Sequence, residues 1–344
     1  MRKAVTGPIR RPAPASRQPA AMHFPRTRKK PGIKPGDTMT QAGRKILLFH
    51  FAHMLNHEKG TRLGEDIEEL HDMRVATRRM RAAFEVFKPF FKPKEIKSQL
   101  KGLRATGRAL GRVRDLDVFM EKAQRYLEAL PEAERPGLEP LMQAWREQLV
   151  LERRKMVAYL EGGRYLQFKR DFNTFLSNQV SMPASSTAAK AAPTLVRHVA
   201  PPLIYARLAA VRAFDAIIPK ATIEQLHALR IEFKKLRYAL EFFREVLGAE
   251  GGEVIDEIKK LQDHLGDLND AHIACQILRE FIESWQERQA ESPLQSRQNP
   301  EPVVAYLASK HAELHQLMIS FPEAWAHFHR QELLRKLALA VSVL

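Results

Sequence analysis

From about residue 40 onward, apolar residues recur every three or four positions almost to the end of the chain. In the first such segment, about 40–57, the large apolar side chains at this spacing are Ile46, Leu47, Phe51, Met54 and Leu55. This period is typical of helices with one buried face. No segment alternates convincingly between apolar and polar residues, as a half-buried strand would. The pattern therefore predicts an all-α protein.

Proline and glycine mark where the predicted helices end. Pro89 and Pro131 follow the second and third helices, and Gly248 follows a later one. That later helix begins at Thr222, which has capping-box spacing to Gln225. After the first helix, we predict helices at about 66–88, 94–130, 138–160, 164–178, 195–217, 222–247, 252–289 (with a break near Gly266), 301–319 and 322–341.

One sequence pattern occurs twice. Residues 71–87 (HDMRVATRRMRAAFEVF) and 227–243 (HALRIEFKKLRYALEFF) are identical at six positions and similar at six more. A second pair follows in the same order, with LGRVRDLDVF at 110–119 and LGDLNDAHIA at 265–274. Two matched pairs in one order predict an internal duplication of a helical unit.

The repeat and the composition together divide the chain into four parts. We predict a first helical half at 39–180, a linker at 181–194 that is rich in Ser, Ala and Pro, and a second half at 195–344. Residues 1–38 carry ten Lys or Arg and one acid, which is +9 of the formal +16. This Pro-rich tail is expected to be disordered and to attract polyanions. The single Cys275 excludes an intramolecular disulfide and fits a reducing cytoplasm.

The repeated segment forms a cationic stripe when it is placed on a helix. At about 100° per residue, four of its basic positions fall within an arc of about 80°, opposite the apolar positions. Like charges at this spacing repel by a few tenths of a kcal/mol, so a merely solvated surface, which is the alternative, would interleave acids. The stripes are His71, Arg74, Arg78 and Arg81, then His227, Arg230, Lys234 and Arg237, and on the third helix Lys97, Lys101, Arg104 and Arg108.

An extended, regularly charged anion suits these three stripes, because a small monoanion needs only two or three donors. Arg binds phosphate oxygens through paired hydrogen bonds, and Lys acts as a point charge. Neutralising many phosphates releases counterions, so binding should weaken steeply with salt. Two roles are open to His71 and His227, a hydrogen bond to phosphate or the orientation of a neighbouring Arg.

Nucleic acid would satisfy the same charges and is the alternative ligand. Proteins that bind single strands usually add exposed aromatic side chains on which bases stack. The stripes carry none, with Tyr238 beside Arg237 as the one exception. The pattern therefore favours recognition of phosphate without recognition of bases, with nucleic acid as a secondary partner.

An HD dipeptide at His71–Asp72 raises a second alternative, a metal-dependent phosphohydrolase of the HD type. The second copy has Ala228 in place of Asp72, so the repeat keeps the histidine and not the dipeptide. His311 and His315 have a spacing that suits zinc, but no third ligand is evident from the sequence. We therefore expect no metal, no cofactor and no catalysis.

The segments LHDMRVATRRMRAAFEVF, LGRVRDLDVF, LHALRIEFKKLRYALEFF and LGDLNDA resemble the CHAD family, the conserved-histidine α-helical domain. The resemblance covers roughly residues 40–340. It implies two four-helix bundles that are related by a pseudo-twofold axis, with the basic helices lining a central cleft. It also implies binding of inorganic polyphosphate in the cytoplasm and, as for some members, at polyphosphate granules. Relatives often carry a triphosphate tunnel domain with an ExExK motif, which this sequence lacks.

The resemblance also assigns roles to single residues. It places the signature histidines on His71 and His227, and it places acidic positions on Asp115, Asp117 and Asp270, which we assign to helix caps or to salt bridges that orient an Arg. Because Asn269 stands where the first half has Arg114, fewer phosphate contacts are expected there. With the stripes, the candidate polyphosphate-binding residues are His71, Arg74, Arg78, Arg79, Arg81, Arg104, Arg108, Arg114, His227, Arg230, Lys234, Lys235, Arg237 and Lys259.

Overall fold

The structure is a computed structural model that describes residues 24–177 and 194–344, so most of the predicted linker lies outside the described residues. The described part contains helices and no strand, which confirms the all-α prediction. None of its helices combines the length and the apolar composition that a membrane span requires. The first half contains α1 (Met39–Asn56), α2 (Glu58–Leu63), α3 (Ile67–Phe87), α4 (Pro93–Ala129), α5 (Glu139–Glu161) and α6 (Gly163–Ser177). The second half contains α7 (Val196–Arg212), α8 (Ile223–Phe243), α9 (Glu250–Ala290), α10 (Glu301–Phe328) and α11 (Gln331–Val341).

The two helices that carry the repeated segment begin at side-chain caps. The predicted capping box of α8 is present, because the Gln225 amide donates to the Thr222 hydroxyl and the Thr222 amide donates to the Gln225 side chain at 2.8 Å. At the start of α3, the Glu68 amide donates to the Asp66 carboxylate at 2.8 Å. These caps fix the first residue of each helix and with it the direction in which each basic stripe faces.

Two predicted helix breaks are absent. α9 continues through Gly266 for 41 residues. α10 continues through Pro322, where we had placed a boundary, and ends at Phe328. Phe321, Trp325 and Phe328 are buried on this stretch. Burying a large apolar side chain stabilises by about 1.5–3 kcal/mol, so three rings outweigh the cost of about 3 kcal/mol of a proline inside a helix.

The helices pack in the same order in both halves. In the first half α3 lies between α1 and α4, and in the second half α8 lies between α7 and α9. α3 and α8 also contact each other, so the two repeated segments meet at the centre of the molecule. A duplication as the origin of this common order stays a prediction.

Two apolar contacts join the two halves, in addition to backbone hydrogen bonds between residues 35–39 and 194–197. At the C-terminal ends of α3 and α8, the ring of Phe87 lies 6.2 Å from that of Phe242 and 5.7 Å from that of Phe243, within one large core. A smaller core lies farther along α4 and α9, where it also includes residues of α5 and α10. There Tyr126 and Tyr306 have ring centroids 4.6 Å apart. The predicted central cleft therefore lies between two apolar joints.

The expected disordered tail differs from the structure over residues 24–38, whereas residues 1–23 lie outside the described part. The amides of Gly32 and Ile33 both donate to the Glu245 carboxylate at 2.9 Å. Gly32 has a φ of 80°, a conformation that favours glycine. Ile33 is buried in the large core, and this burial gives the segment a reason to pack.

Candidate functional site

The central helices direct their basic stripes away from the core. Met73, Met80 and Phe84 of α3 are buried, as are Leu229, Phe233 and Leu236 of α8. The basic positions on the opposite faces must therefore point out of each half. Since α3 and α8 contact each other, the stripes face one another across the junction of the halves.

Helices from both halves enclose a cavity of about 370 Å³, which we call the basic cavity. α3 and α4 form one wall, and α7 and α8 form the other. Among the described lining residues the single acid is Glu85, and Leu100, Ile231 and Tyr238 supply apolar surface. Six cationic side chains line it: Arg78, Arg81, Arg104, Arg207, Lys234 and Lys235.

Within the described residues, five of the six cations that line this cavity have no carboxylate at ion-pair distance, and the sixth, Lys235, pairs with Glu232 at 2.6 Å. Nε of Arg78 and Nε of Arg230 are buried and have no hydrogen-bond partner within residues 24–177 and 194–344. Burial lowers the pKa of Lys234 to about 7, and the charges that lower it further belong to Arg230, Arg78, Arg74 and Arg237. Partly buried cations without partners raise the free energy of the protein until an anion pairs with them.

An acid–base cluster, formed by Arg74, Lys122, Arg230, Asp115 and Asp270, lies between the basic cavity and the smaller core. Nη2 of Arg74 lies 3.1 Å from Oδ1 of Asp115, and Nζ of Lys122 lies 3.2 Å from Oδ2 of Asp270, across the halves. Burial, and then the charge of Asp270, raises the pKa of Asp115 despite the nearby Arg74. The predicted role of these aspartates in orienting Arg therefore fits Asp115, and the cluster is closer to neutral than the basic cavity.

The two signature histidines lie beside aligned residues of the long helices, outside the lining of the basic cavity. Nδ1 of His227 is 2.7 Å from Oδ1 of Asn269. Burial, and then the charge of Arg114, lowers the pKa of His71. In Arg114, Nη1 is buried without a hydrogen-bond partner among the described residues. For His227 this geometry favours an orienting role.

Two further predicted phosphate contacts, Arg79 and Arg237, lie beside one acid, Glu241. Nη2 of Arg79 lies 3.4 Å from Glu241, and Nε of Arg237 lies 3.3 Å from the same carboxylate. Arg237 is only 8% exposed and lies against the ring of Tyr238. Neither Arg lines the basic cavity. The sequence pattern predicts Arg79 and Arg237 as phosphate contacts equally with Arg78, but of the three only Arg78 lines the basic cavity.

The remaining predicted residues on the long helices fall outside the lining of the basic cavity. Arg108 is exposed on α4, where its charge acts on Tyr159 of α5. Lys259, which aligns with Arg104, is exposed on α9. Of these long-helix positions, Arg104 is the one that reaches the basic cavity.

Sequence reasoning missed Arg207 of α7, which lines the basic cavity opposite Arg104. The repeat was aligned only from His71 onward, so it did not extend to α1 and α7. The buried positions of α7, 196, 200, 204, 208 and 211, match positions 39, 43, 47, 51 and 54 of α1 at a constant offset. That offset aligns Arg207 with His50. A search for the repeat that used the spacing of apolar residues would therefore have extended it to α1 and α7 and included position 207.

Asp72 of the HD dipeptide lies near His57, which also contacts Glu69. Nδ1 of His57 is 3.0 Å from Glu69 and its Nε2 is 3.8 Å from Asp72. In the described part of the chain, no group of three or more His, Cys, Asp or Glu side chains is arranged to hold a metal ion. Nε2 of His311 lies 2.7 Å from Nη2 of Arg279.

The fold and the site together define an all-helical protein with two repeated basic helices around a cationic cavity. The CHAD domain model matches residues 45–279, more than half of the chain, so this chain belongs to the CHAD family. The crystal structure of the CHAD domain from the plant Ricinus communis has the same fold, with a TM-score of 0.62 at 20% identity over 93% of this chain and 96% of that chain. PptA from Streptomyces chartreusis matches with a TM-score of 0.59 at 15% identity, over 84% of this chain and 99% of its own.

Two relatives come from Mycobacterium tuberculosis. They are uncharacterized protein MT2285 of strain CDC 1551 / Oshkosh and uncharacterized protein Rv2226 of strain ATCC 25618 / H37Rv. Each is 28% identical to this chain over 213 residues, which is 61% of this chain. The match covers 40% of each relative, so the chain spans about two fifths of the length of the relatives it matches.

Proposed function

We propose that this protein binds inorganic polyphosphate in the basic cavity and catalyses no reaction on it. The observation that carries the proposal is the set of six cationic side chains that two helices of each half bring around about 370 Å³, with Glu85 as the one acid among the described lining residues. A linear chain of phosphates has the charge density and the repeat that such a set can match. The resemblance in sequence to the CHAD family supports the same ligand, in the cytoplasm or at polyphosphate granules.

The chemistry of the lining suits phosphate oxygens. Four of the six cations are Arg, whose planar guanidinium binds oxygens through two hydrogen bonds. The Nε–H of Arg78 has no partner in the described part and can donate to a phosphate oxygen. The apolar wall lowers the local dielectric, which strengthens each charge–charge interaction. Release of counterions from the polyanion then adds to affinity and makes it dependent on salt.

Nucleic acid is the weaker candidate for the same cavity. Tyr238, the aromatic residue that the sequence offered for base stacking, is 6% exposed and already stacks on Phe242 at 5.9 Å between ring centroids. A base therefore has no free ring to stack on in this lining. Binding through phosphate alone does not need one.

A double variant, Arg81→Glu with Arg104→Glu, tests the proposal. Both side chains are exposed, so the fold should survive, as checked by far-UV circular dichroism and thermal unfolding. Affinity for long-chain polyphosphate, measured by fluorescence anisotropy, should fall at least 100-fold. The control is Arg288→Glu with Arg335→Glu, which makes the same change in net charge at exposed sites away from the cavity and should bind within about threefold of the original protein.

Two further measurements define the ligand. The affinity of the original protein should fall steeply between about 50 and 200 mM salt, since several phosphates are neutralised at once. In competition at matched charge concentration, long polyphosphate should displace labelled RNA, and RNA should displace polyphosphate poorly. Equal displacement in both directions would favour the nucleic-acid alternative, and equal binding by the double variant and its control would exclude the basic cavity.

A further inference from the structure

The junction between the two halves has two sides. When α3 is aligned with α8, the residues of one side correspond to the residues of the other. On the open side, which holds the basic cavity, α3 and α4 face α7 and α8. On the closed side, α8 faces α1 and α3, because the rings of His50 and Phe242 are 6.3 Å apart and Arg79 pairs with Glu241. A symmetric molecule would bind the same anion on both sides.

Ion pairs occupy the closed side. The Glu241 carboxylate lies within ion-pair distance of both Arg79 and Arg237, at 3.4 and 3.3 Å. The aligned acid on the open side, Glu85, is exposed and lines the basic cavity, and Arg81, the counterpart of Arg237, is exposed as well. The aligned Glu and Arg therefore pair on the closed side, whereas Glu85 and Arg81 are both exposed on the open side. Lys235, the counterpart of Arg79, pairs with Glu232 of its own helix.

Larger side chains also fill the closed side. Phe242 of α8 packs against His50 there, where α3 has the smaller Val86 at the aligned position, whereas Tyr238, which stacks on Phe242, itself lines the basic cavity. His50 of α1 is 7% exposed where α7 has the partly exposed Arg207. Burial, followed by the charge of Arg79, lowers the pKa of His50 to about 3, so this position carries no positive charge near neutral pH.

The basic segment before α1 adds to the closed side. It contacts both halves there, because the Lys45 ammonium of α1 donates to the Gly32 carbonyl at 2.9 Å and the Gly32 amide donates to Glu245 after α8. This segment therefore links α1 to the end of α8, the helix whose Glu241 pairs with Arg79 of α3.

We propose that the protein binds its phosphate chain on the open side only, with Arg207 of α7 as a direct contact and with Arg237 and Lys259 making none. This inference rests on the proposed function and refines it. It assigns one polyphosphate chain to each molecule, and it makes α7, which carries no part of the aligned repeat, a determinant of the site.

Matched variants at aligned positions test this asymmetry, because each open-side residue has a counterpart. Arg104→Glu should weaken polyphosphate binding at least tenfold, whereas Lys259→Glu, an identical change in charge at the exposed aligned position of α9, should stay within about twofold. On α7, Arg207→Glu should weaken binding at least tenfold, and Arg197→Glu, exposed on the same helix, should stay within about threefold. Isothermal titration with a short polyphosphate of defined length should give one chain per molecule.

The outcomes separate the two proposals. If the original protein fails to bind polyphosphate, the proposed function is wrong. If it binds, and Lys259→Glu costs as much as Arg104→Glu, or two short chains bind per molecule, the function stands and the one-sided site is wrong. Retention of full affinity by Arg207→Glu, with its fold intact by circular dichroism, would remove Arg207 from the site.

Discussion

Arg81 and Arg237 occupy the same place in the repeat, yet one is exposed in a cationic cavity and the other is 8% exposed beside Glu241. Their helices carry nearly the same residues in the same order. The neighbouring helices also differ, since α7 brings a cation to the open side and α1 brings a buried histidine to the closed side. A duplicated motif therefore does not guarantee a duplicated site.

The largest expected effect concerns the stability of the closed side. Glu241→Ala would leave Arg237 buried without its carboxylate, and we expect the free energy of unfolding to fall by about 2–4 kcal/mol. Its counterpart on the open side, Glu85→Ala, should change stability by less than about 0.5 kcal/mol because Glu85 is exposed. Urea denaturation followed by circular dichroism measures both. Equal effects would mean that the closed side contributes no more to stability than the open side.

The second effect is a dependence of binding on pH through Lys234. Its pKa of about 7 in the free protein should rise when a polyanion binds, so binding takes up a proton above pH 7. Affinity for long-chain polyphosphate should therefore be highest below pH 7 and fall by up to tenfold per pH unit as the pH rises above 7, until the pKa of the bound state is reached. Anisotropy titrations between pH 7 and 9 measure this slope.

Lys234→Arg is the control for that slope. Arg stays protonated over the whole range, so the dependence on pH should largely disappear while binding persists. A slope that is unchanged in Lys234→Arg would assign the proton to another group.

The smallest effect concerns the acid in the basic cavity. Glu85→Gln removes the negative charge from the described lining and should tighten polyphosphate binding by about two- to fivefold at low salt. The effect should shrink as salt is added, because screening weakens the interaction of exposed charges. A weaker affinity after this substitution would show that Glu85 orients a cation instead of repelling the ligand.

Much of the fold could be predicted from the sequence because it depends on local rules. Helical periodicity identified most of the helices, and the capping box at Thr222 marked the start of α8. The end of α10 could not be predicted locally, since the burial of Phe321, Trp325 and Phe328 decides whether Pro322 is tolerated. The packing of residues 24–38 depends likewise on a partner more than 200 residues away, Glu245.

The site was predicted in part, for the same reason. Charge periodicity identified Arg78, Arg81 and Lys234 because each stripe lies on one helix. It did not distinguish Arg79 from Arg78, because their difference lies in Glu241 on the other central helix. Arg207 was missed because α7 has no series of basic residues at helical spacing on one face and lies outside the repeated segment that begins at His71.

The smaller core at the far ends of α4 and α9 has a mechanical consequence. At about 1.5 Å per residue these helices are about 55 and 60 Å long, and they tie the halves together well beyond the central phenylalanines. Because the two halves are joined at both ends, they cannot separate by a hinge motion. The basic cavity would thus have a fixed width before the ligand binds, and little binding free energy would be lost to a conformational change of the protein. The association rate would depend mainly on electrostatic steering.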